Sequence, residues 1–262
     1  MANLSSSDTA AHIAAELASA QRDEARRLIE LFCEDPRSQV QTALKRARRR
    51  LERDQAEHDR VRELYRYMHE LGGHGLILGV DEVGRGSIAG PLTVCALSLP
   101  DEPIIWGIDD SKRLSPQKRQ VLAAQILEVA QAVGICHIEP ARIDVIGMAA
   151  ALREAVLGAI ADTGVEPDAV LIDGTPLQVH QREIDVVHGD ARVASIAAAS
   201  IVAKVTRDDL MVELDEIYPG YSFSASKGYA SPDHIAAIGK LGLSPVHRVS
   251  FCGNFLKTES LF

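Results

Sequence analysis

Residues 76–86 restrict the fold of this chain more than any other stretch. They read Leu76-Ile77-Leu78-Gly79-Val80-Asp81-Glu82-Val83-Gly84-Arg85-Gly86, an apolar run that delivers two adjacent carboxylates and then a glycine-flanked arginine. The run needs burial, whereas the acids need water, a cation or hydrogen bonds. A strand inside a sheet, with its carboxyl end left open, meets both demands. Carboxylates at a strand end hold hard divalent cations. A turn whose glycines expose backbone N–H and C=O groups lies flat against a ligand. Together they point to chemistry on a phosphate. One geometric condition applies: neighbours on a regular strand face opposite ways. Asp81 and Glu82 reach one cluster only if the strand ends or twists there, which the Gly84 turn permits.

Two further acids share this placement. Asp173 closes the apolar run Ala169-Val170-Leu171-Ile172, whose unbroken hydrophobicity suits a central buried strand. Asp190 follows Val186-Val187 and precedes a long helical segment. Each has a plain reading alone, since Asp173-Gly174 is a common turn pair and Asp190 suits a helix cap. In an α/β sheet, however, strand ends from distant parts of the chain converge, and ligands bind there. Four acids so placed favour a metal site. No Cys/His spacing accompanies them, which argues against zinc. All-oxygen ligands favour Mg²⁺ or Mn²⁺, ions that bridge phosphate oxygens.

The surrounding sequence divides into two parts, 1–72 and 73–262. The first is helical by spacing. Asp8 is placed to cap a helix running through Ile13 and Leu17 to Phe32, and Pro36 interrupts it. A second helix carries Val40, Leu44, Ala47 and Leu51, then Val61, Leu64, Tyr65 and Met68, and stops at Gly72-Gly73. The second part alternates strands (76–83, 92–99, 134–138, 169–172, 184–187) with helices starting at Pro116, Met148, Val193 and Pro232. The expectation is an α/β catalytic domain with a C-terminal helical region, behind an all-α N-terminal extension.

The net charge of −9 argues against a nucleic-acid partner only until its distribution is considered. Residues 1–72 hold 13 Lys/Arg against 13 Asp/Glu, whereas residues 73–262 hold 15 against 24 and carry the whole deficit. A carboxylate-built metal site adds to such a deficit. A polyanion would then be met by metal and by local basic surface, such as Lys45-Arg46-Ala47-Arg48-Arg49-Arg50 in the second helix. That run also has the plain reading of a solvated helix face. Cys33, Cys95, Cys136 and Cys252 lie far apart without a CxxC pair, which fits reduced thiols and a cytoplasmic setting. No secretory signal and no membrane span are read in the sequence.

Six blocks, in order, resemble ribonuclease HII: Gly79 to Gly86; Asp110-Ser111-Lys112-Arg113-Leu114-Ser115; Leu171-Ile172-Asp173-Gly174; His188 to Asp208; Lys227-Gly228-Tyr229; and His247 to Phe251. The resemblance covers about residues 75–251, and the N-terminal part is similar, more loosely, to the extension of some bacterial members. It implies a ribonuclease H-like fold, a mixed central sheet flanked by helices. It implies endonucleolytic cleavage in RNA–DNA hybrids and 5′ of single ribonucleotides in duplex DNA, leaving 3′-hydroxyl and 5′-phosphate ends; apart from the resemblance, a monomer is the expectation. By the same resemblance Asp81, Glu82, Asp173 and Asp190 would hold two Mg²⁺ or Mn²⁺ ions. Gly84, Arg85 and Gly86 would read the 2′-hydroxyl, Lys112 and Lys227 would meet phosphates, and Tyr229 would stack on the next deoxyribose. Lys204 and Asp208 share a helix face and are spaced to pair.

Two departures stand beside these elements: Ser87 where the family usually has proline, and Ala230-Ser231 where Gly-Thr is usual. A ribonuclease HIII-like enzyme needing ribonucleotide runs and a non-catalytic hybrid-binding module are the alternatives. His137 and His188 on strands, Trp106, Met148 and Met211 read as structural, and His247 is left open by its place beside Arg248.

Overall fold

A computed structural model describes residues 8–255, which form two compact units dividing between Arg60 and Val61. The first contains α1 (Ala10–Ser19), α2 (Arg22–Leu31) and the first part of α3 (Ser38–Gly72). Their apolar faces close on one another through Ile13, Leu17, Leu28, Phe32, Val40, Leu44 and Ala47. Where the spacing predicts one helix from Asp8 to Phe32, the chain breaks at Ala20, whose ψ of 136° is extended. The cause is tertiary. The Arg50 guanidinium donates to the carbonyls of Leu17, Ala18 and Ala20, satisfying the end of α1 and letting the helix stop there. The N-cap is Thr9 rather than Asp8, its hydroxyl accepting from the His12 N–H.

The second unit begins inside α3, whose Val61, Leu64, Tyr65 and Met68 are buried in its core. The helix ends at Gly72, and Gly73 turns away at φ +87°. A five-stranded sheet follows, built of β1 (Ile77–Val83), β2 (Leu92–Ser98), β3 (Ala132–Ile138), β4 (Ala169–Asp173) and β5 (Glu183–Val186). Its order is β3-β2-β1-β4-β5, with β1–β2 and β2–β3 antiparallel and β1–β4 and β4–β5 parallel. The mixed sheet, flanked by helices and accompanied by N-terminal helices, is the fold class the sequence predicts.

Strand alternation sorts the two cores. Val80, Val94, Ala96, Val170 and Ile172 face α5 (Pro140–Ile146) and α6 (Met148–Asp162). Cys95, Leu97 and Leu171 face α4 (Pro116–Val129) and the long α7 (Ala194–Ile217). Helix α7 is alanine-rich, so its backbone reaches the sheet, and β1 answers with a glycine. A Cβ on Gly79 would lie 2.2 Å from the Ser195 carbonyl carbon. A third cluster joins Ile88, Ala89 and Met211 to α8 (Phe223–Ser226) and α9 (Pro232–Leu241) through Phe223, Ala237 and Ile238. The β5 strand starts one residue early because Glu183 accepts from the N–H groups of Leu177, Gln178 and Val179 and fixes its entry. Among the described residues no helix is long and apolar enough to cross a membrane.

The close approach at Gly79 is testable. Gly79→Ala forces a methyl into the α7 backbone and is expected to destabilise by about 1–3 kcal/mol, lowering Tm in a thermal melt by at least about 3 °C. An unchanged melting curve would show that α7 has room to give.

Candidate active site

The parallel ladder pairs Val80 with Ile172, which makes Asp81 and Asp173 next in line on neighbouring strands. Both follow the register that puts Leu171 on the α7 side. Asp81 is 7% exposed, and its Oδ1 accepts from the Glu82 N–H at 2.7 Å. Asp190 lies after β5 in the turn Gly189–Ala191 and is also buried. That turn is tied to β4, since the Gly189 N–H donates to Asp173 Oδ1 at 2.7 Å. Contrary to the expectation from sequence, the strand does not end at Glu82: the ladder continues through Glu82↔Val94 and Val83↔Thr93, so Glu82 leaves the strand on the opposite face from Asp81 and is tied to the other acids by the charges of Asp81 and Asp173.

These acids act on one another. Burial first, then the Glu82 and Asp173 charges, push the Asp81 carboxyl well above the usual carboxylate range, with the Ser200 hydroxyl opposing. Glu82 is pushed up by burial, partly offset by Arg85 at 3.6 Å, and further raised by Asp173. Asp190 is raised by burial, then by Asp110 and Asp173, with Lys112 opposing. Lys112 Nζ stands 3.5 Å from Asp190 and 3.9 Å from Asp110. Its own pKa is lowered by burial but raised more by Asp110, Asp190 and Asp81, so it stays cationic. Among the described residues no three His, Cys, Asp or Glu side chains stand close enough to make a closed ligand set. The donors fit a divalent cation by their chemistry: all are carboxylate oxygens, and the burial and mutual repulsion that raise Asp81, Glu82 and Asp190 are what a bound cation offsets.

Asp110 is a fifth acid that sequence reasoning passed over, although it opens the Asp110-Ser111-Lys112 block. Its Oδ1 accepts from the Lys112 N–H at 2.9 Å. Ser111 and Ser200 join Oγ to Oγ at 2.8 Å, fastening this segment to α7.

The glycine turn lies immediately beyond. Gly84 has φ +89°, and a Cβ there would meet Arg207 Nε at 2.3 Å. Arg207 and Arg248 are both fully buried. Arg207 donates to the carbonyls of Pro91, Lys227 and Ala89 and to Ser87 Oγ. Arg248 donates to the carbonyls of Gly90 and Arg85. Burial lowers the pKa of both, and Arg248, beside Arg207, falls to about 10. The Gly228 carbonyl accepts from Ile88 and Ala89, joining the Lys227-Gly228-Tyr229 segment to the same loop. Tyr229 is 39% exposed, with the Arg207 guanidinium 5.8 Å from its ring centroid. Gly86 carries no backbone crowding, and Lys227 Nζ donates to the Asp208 carbonyl at 3.2 Å. Lys204 and Asp208 pair at 2.7 Å.

His137 is held by Thr93 Oγ1 at 2.8 Å, a structural role. His188 is not on a strand: it takes a left-handed conformation at the turn before Asp190 and is exposed. Trp106 stacks under Arg62, and Met211 is fully buried.

A sequence profile described as ribonuclease HII matches residues 78–254, and one described as ribonuclease HII N-terminal domain matches residues 9–72. A ribonuclease HII of Lachnoclostridium phytofermentans is 47% identical over 221 residues, covering 84% of this chain and 87% of that protein. One of Enterococcus faecalis is 44% identical, covering 83% and 86%. The crystal structure of ribonuclease H2 from Pyrococcus horikoshii OT3 superposes with a TM-score of 0.59 at 25% identity, over 69% of this chain and 99% of that one.

The raised carboxyls set the sign of a pH effect. A folded state that binds protons more tightly than the unfolded chain loses stability as pH rises above the ordinary carboxylate pKa. Asp81→Asn removes that loss while its amide oxygen still accepts from Glu82. With chelator at pH 7, its Tm is expected to be about 2–4 °C above the parent's, on the order of 1 kcal/mol, and the difference should vanish toward about pH 4. Melting curves across that range check it; a variant no more stable at pH 7 contradicts the buried-charge account.

Proposed function

This chain belongs to the ribonuclease HII family of type 2 ribonucleases H, endonucleases acting on RNA–DNA hybrids, and from that premise we propose that it also cuts 5′ of single ribonucleotides embedded in duplex DNA. The products are a 3′-hydroxyl and a 5′-phosphate. The observation that supports this reading best is the placement of Asp81 and Asp173 side by side on β1 and β4, with the Asp190 turn bonded to Asp173, next to the Gly84 turn.

Asp81, Glu82, Asp173 and Asp190 would hold two divalent cations, Mg²⁺ or Mn²⁺. The chemistry such a pair supplies is activation of a water and stabilisation of charge on the leaving 3′-oxygen. The protein's own groups bind and orient. Backbone groups of Gly84, Arg85 and Gly86 meet the 2′-hydroxyl, which is both donor and acceptor and marks RNA. Lys112, 79% exposed along its side chain and anchored by two acids, meets a phosphate. Lys227 meets another. The exposed face of Tyr229 stacks on the deoxyribose after the ribonucleotide and checks the RNA-to-DNA step.

The N-terminal helix adds weak interactions with the phosphate backbone. Lys45, Arg46, Arg48, Arg49 and Arg53 of α3 are exposed and form no ion pair among the described residues, whereas Arg50 is engaged by α1. Cations without carboxylate partners are available to phosphates. We take the enzyme to work as a monomer in the cytoplasm.

The deciding assay is a duplex carrying one ribonucleotide, incubated with Mg²⁺, with Mn²⁺ and with chelator. Cleavage 5′ of the ribonucleotide, lost with chelator and reduced on the order of 10³-fold or more in Asp173→Asn, is the expected result. Cutting confined to long ribonucleotide runs would assign the chain a ribonuclease HIII-like specificity instead, and near-normal activity in Asp173→Asn would remove the metal assignment. Replacing Lys45, Arg49 and Arg53 by Gln should raise KM with little change in kcat and flatten the salt dependence of binding, by up to about one in log–log slope for each cation removed. An unchanged salt slope would return those residues to the role of a solvated face.

A further inference from the structure

The C-terminal segment contains a buried histidine pair that the chemistry above does not use. His234 and His247 are 0% and 2% exposed. Their Nε2 atoms lie 3.0 Å apart. The other nitrogen of each is also engaged: His234 Nδ1 is 2.8 Å from the Tyr229 carbonyl oxygen, and His247 Nδ1 is 2.9 Å from the Ser244 backbone nitrogen.

The proton positions follow from donor chemistry. A backbone N–H only donates, so His247 Nδ1 is an acceptor and carries no proton. The neutral His247 ring then bears its proton on Nε2 and donates it to His234 Nε2. That nitrogen is bare in turn, and the His234 proton sits on Nδ1, where the Tyr229 carbonyl accepts it. A second proton on either ring would set two N–H groups against each other. Burial lowers the pKa of both rings, and His247, also beside His234, falls to about 4. The rings of Tyr221 and Phe223 enclose the pair, at 5.0 Å from His247 and 5.2 Å from His234.

We propose that His234 is a positioning residue for substrate recognition: as the donor end of a proton-ordered pair with His247, it fixes the Tyr229 backbone and so the attitude of the Tyr229 ring. Among the described residues the Tyr229 carbonyl is shared with one other donor, the Ser231 N–H at 2.8 Å. The preceding residues, Lys227 and Gly228, both have positive φ, of 52° and 79°, so the turn relies on such outside fastening. The pair also fastens that turn to the glycine loop. His247 bridges to Ala89, Arg248 N–H donates to Ile88, and Ile88 and Ala89 donate to Gly228. One polar chain thus links Ser244, His247, His234 and Tyr229, and the same bridge at His247 sets the register of the ribose-reading loop. This rests on the reading of Tyr229 given above.

Two measurements on the intact enzyme test it. In ¹⁵N-resolved NMR near pH 7, two slowly exchanging ring N–H protons are expected, one on Nδ1 of His234 and one on Nε2 of His247; the opposite tautomers, or a charged ring, overturn the proposal. In kinetics on a single-ribonucleotide duplex, His234→Leu should lower kcat/KM about five- to tenfold, the worth of one neutral hydrogen bond, chiefly through KM. His234→Asn, whose amide still donates to the carbonyl, should recover most of that loss. In a Tyr229→Ala background His234→Leu should cost less than about twofold. An equal loss in both backgrounds, or no recovery by Asn, overturns the proposal; if the Leu variant does not fold, the Asn variant and the NMR decide. A Tyr229→Ala enzyme that keeps the parent's preference for the ribonucleotide junction sinks the recognition reading itself. One that loses that preference while the His234→Leu cost is undiminished sinks the positioning role alone.

Discussion

Carboxylates that repel one another must be held near the ends of neighbouring strands, and the second unit is arranged around that demand. Left to themselves, Asp81, Glu82, Asp173 and Asp190 would move apart. The fold opposes this with backbone. The ladder fixes Asp81 beside Asp173, and the Gly189 N–H binds the Asp190 turn to Asp173. Helix α7 closes over the strands because Gly79 leaves no Cβ in its way, and it brings Ser200 to Asp81. The packing of α7 on β1 is therefore a precondition of the site as well as part of the core. Lys112 supplies an exposed positive charge at this edge, and Asp110 keeps it there.

A second constraint is the handling of positive charge behind the glycine turn. Two guanidiniums, Arg207 and Arg248, are fully buried, and the hydrogen bonds they make go to carbonyls and one hydroxyl. A planar guanidinium with five donors suits this task, since it satisfies several carbonyls whose own strand partners are missing. Loop 84–91 is thereby fixed from within, while its outer face stays open. That is how a glycine-rich segment, entropically loose by nature, becomes a rigid surface. The positive φ at Gly84 and the Arg207 side chain beneath it leave no space for another residue.

Much of this was legible in the sequence, for reasons that differ by element. The run Ala169–Ile172 announces a central strand because it is apolar on both faces, and β4 lies between β1 and β5. The acids were legible because each closes an apolar run. What stayed hidden was set by contacts distant in sequence. The break at Ala20 depends on Arg50, thirty positions on. Asp110 carries no apolar strand before it, so the rule that found the other acids could not reach it. Arginines read as surface residues, and nothing local marks Arg207 or Arg248 as buried. The two histidines stand thirteen residues apart, and only the packed fold makes them partners.

The departures from the family pattern can be weighed on the same terms. Ser87 is completely buried, its hydroxyl donating to the Gly84 carbonyl at 2.8 Å and accepting from Arg207 at 2.8 Å. A proline would restrain the same turn through its ring; here a hydroxyl does so through two hydrogen bonds. Ser231 caps α9, its Oγ accepting from the His234 N–H, and its own N–H reaches the Tyr229 carbonyl. Ser87 and Ser231 thus act on the side of their loops that faces the protein, where each holds the backbone by hydrogen bonds, whereas Ala230 is exposed. The surfaces turned outward, Arg85, Gly86 and the Tyr229 ring, consist of residues the family pattern retains. The recognition proposed for this loop, built on backbone position, would tolerate such exchange, provided that the backbone arrives at the same place.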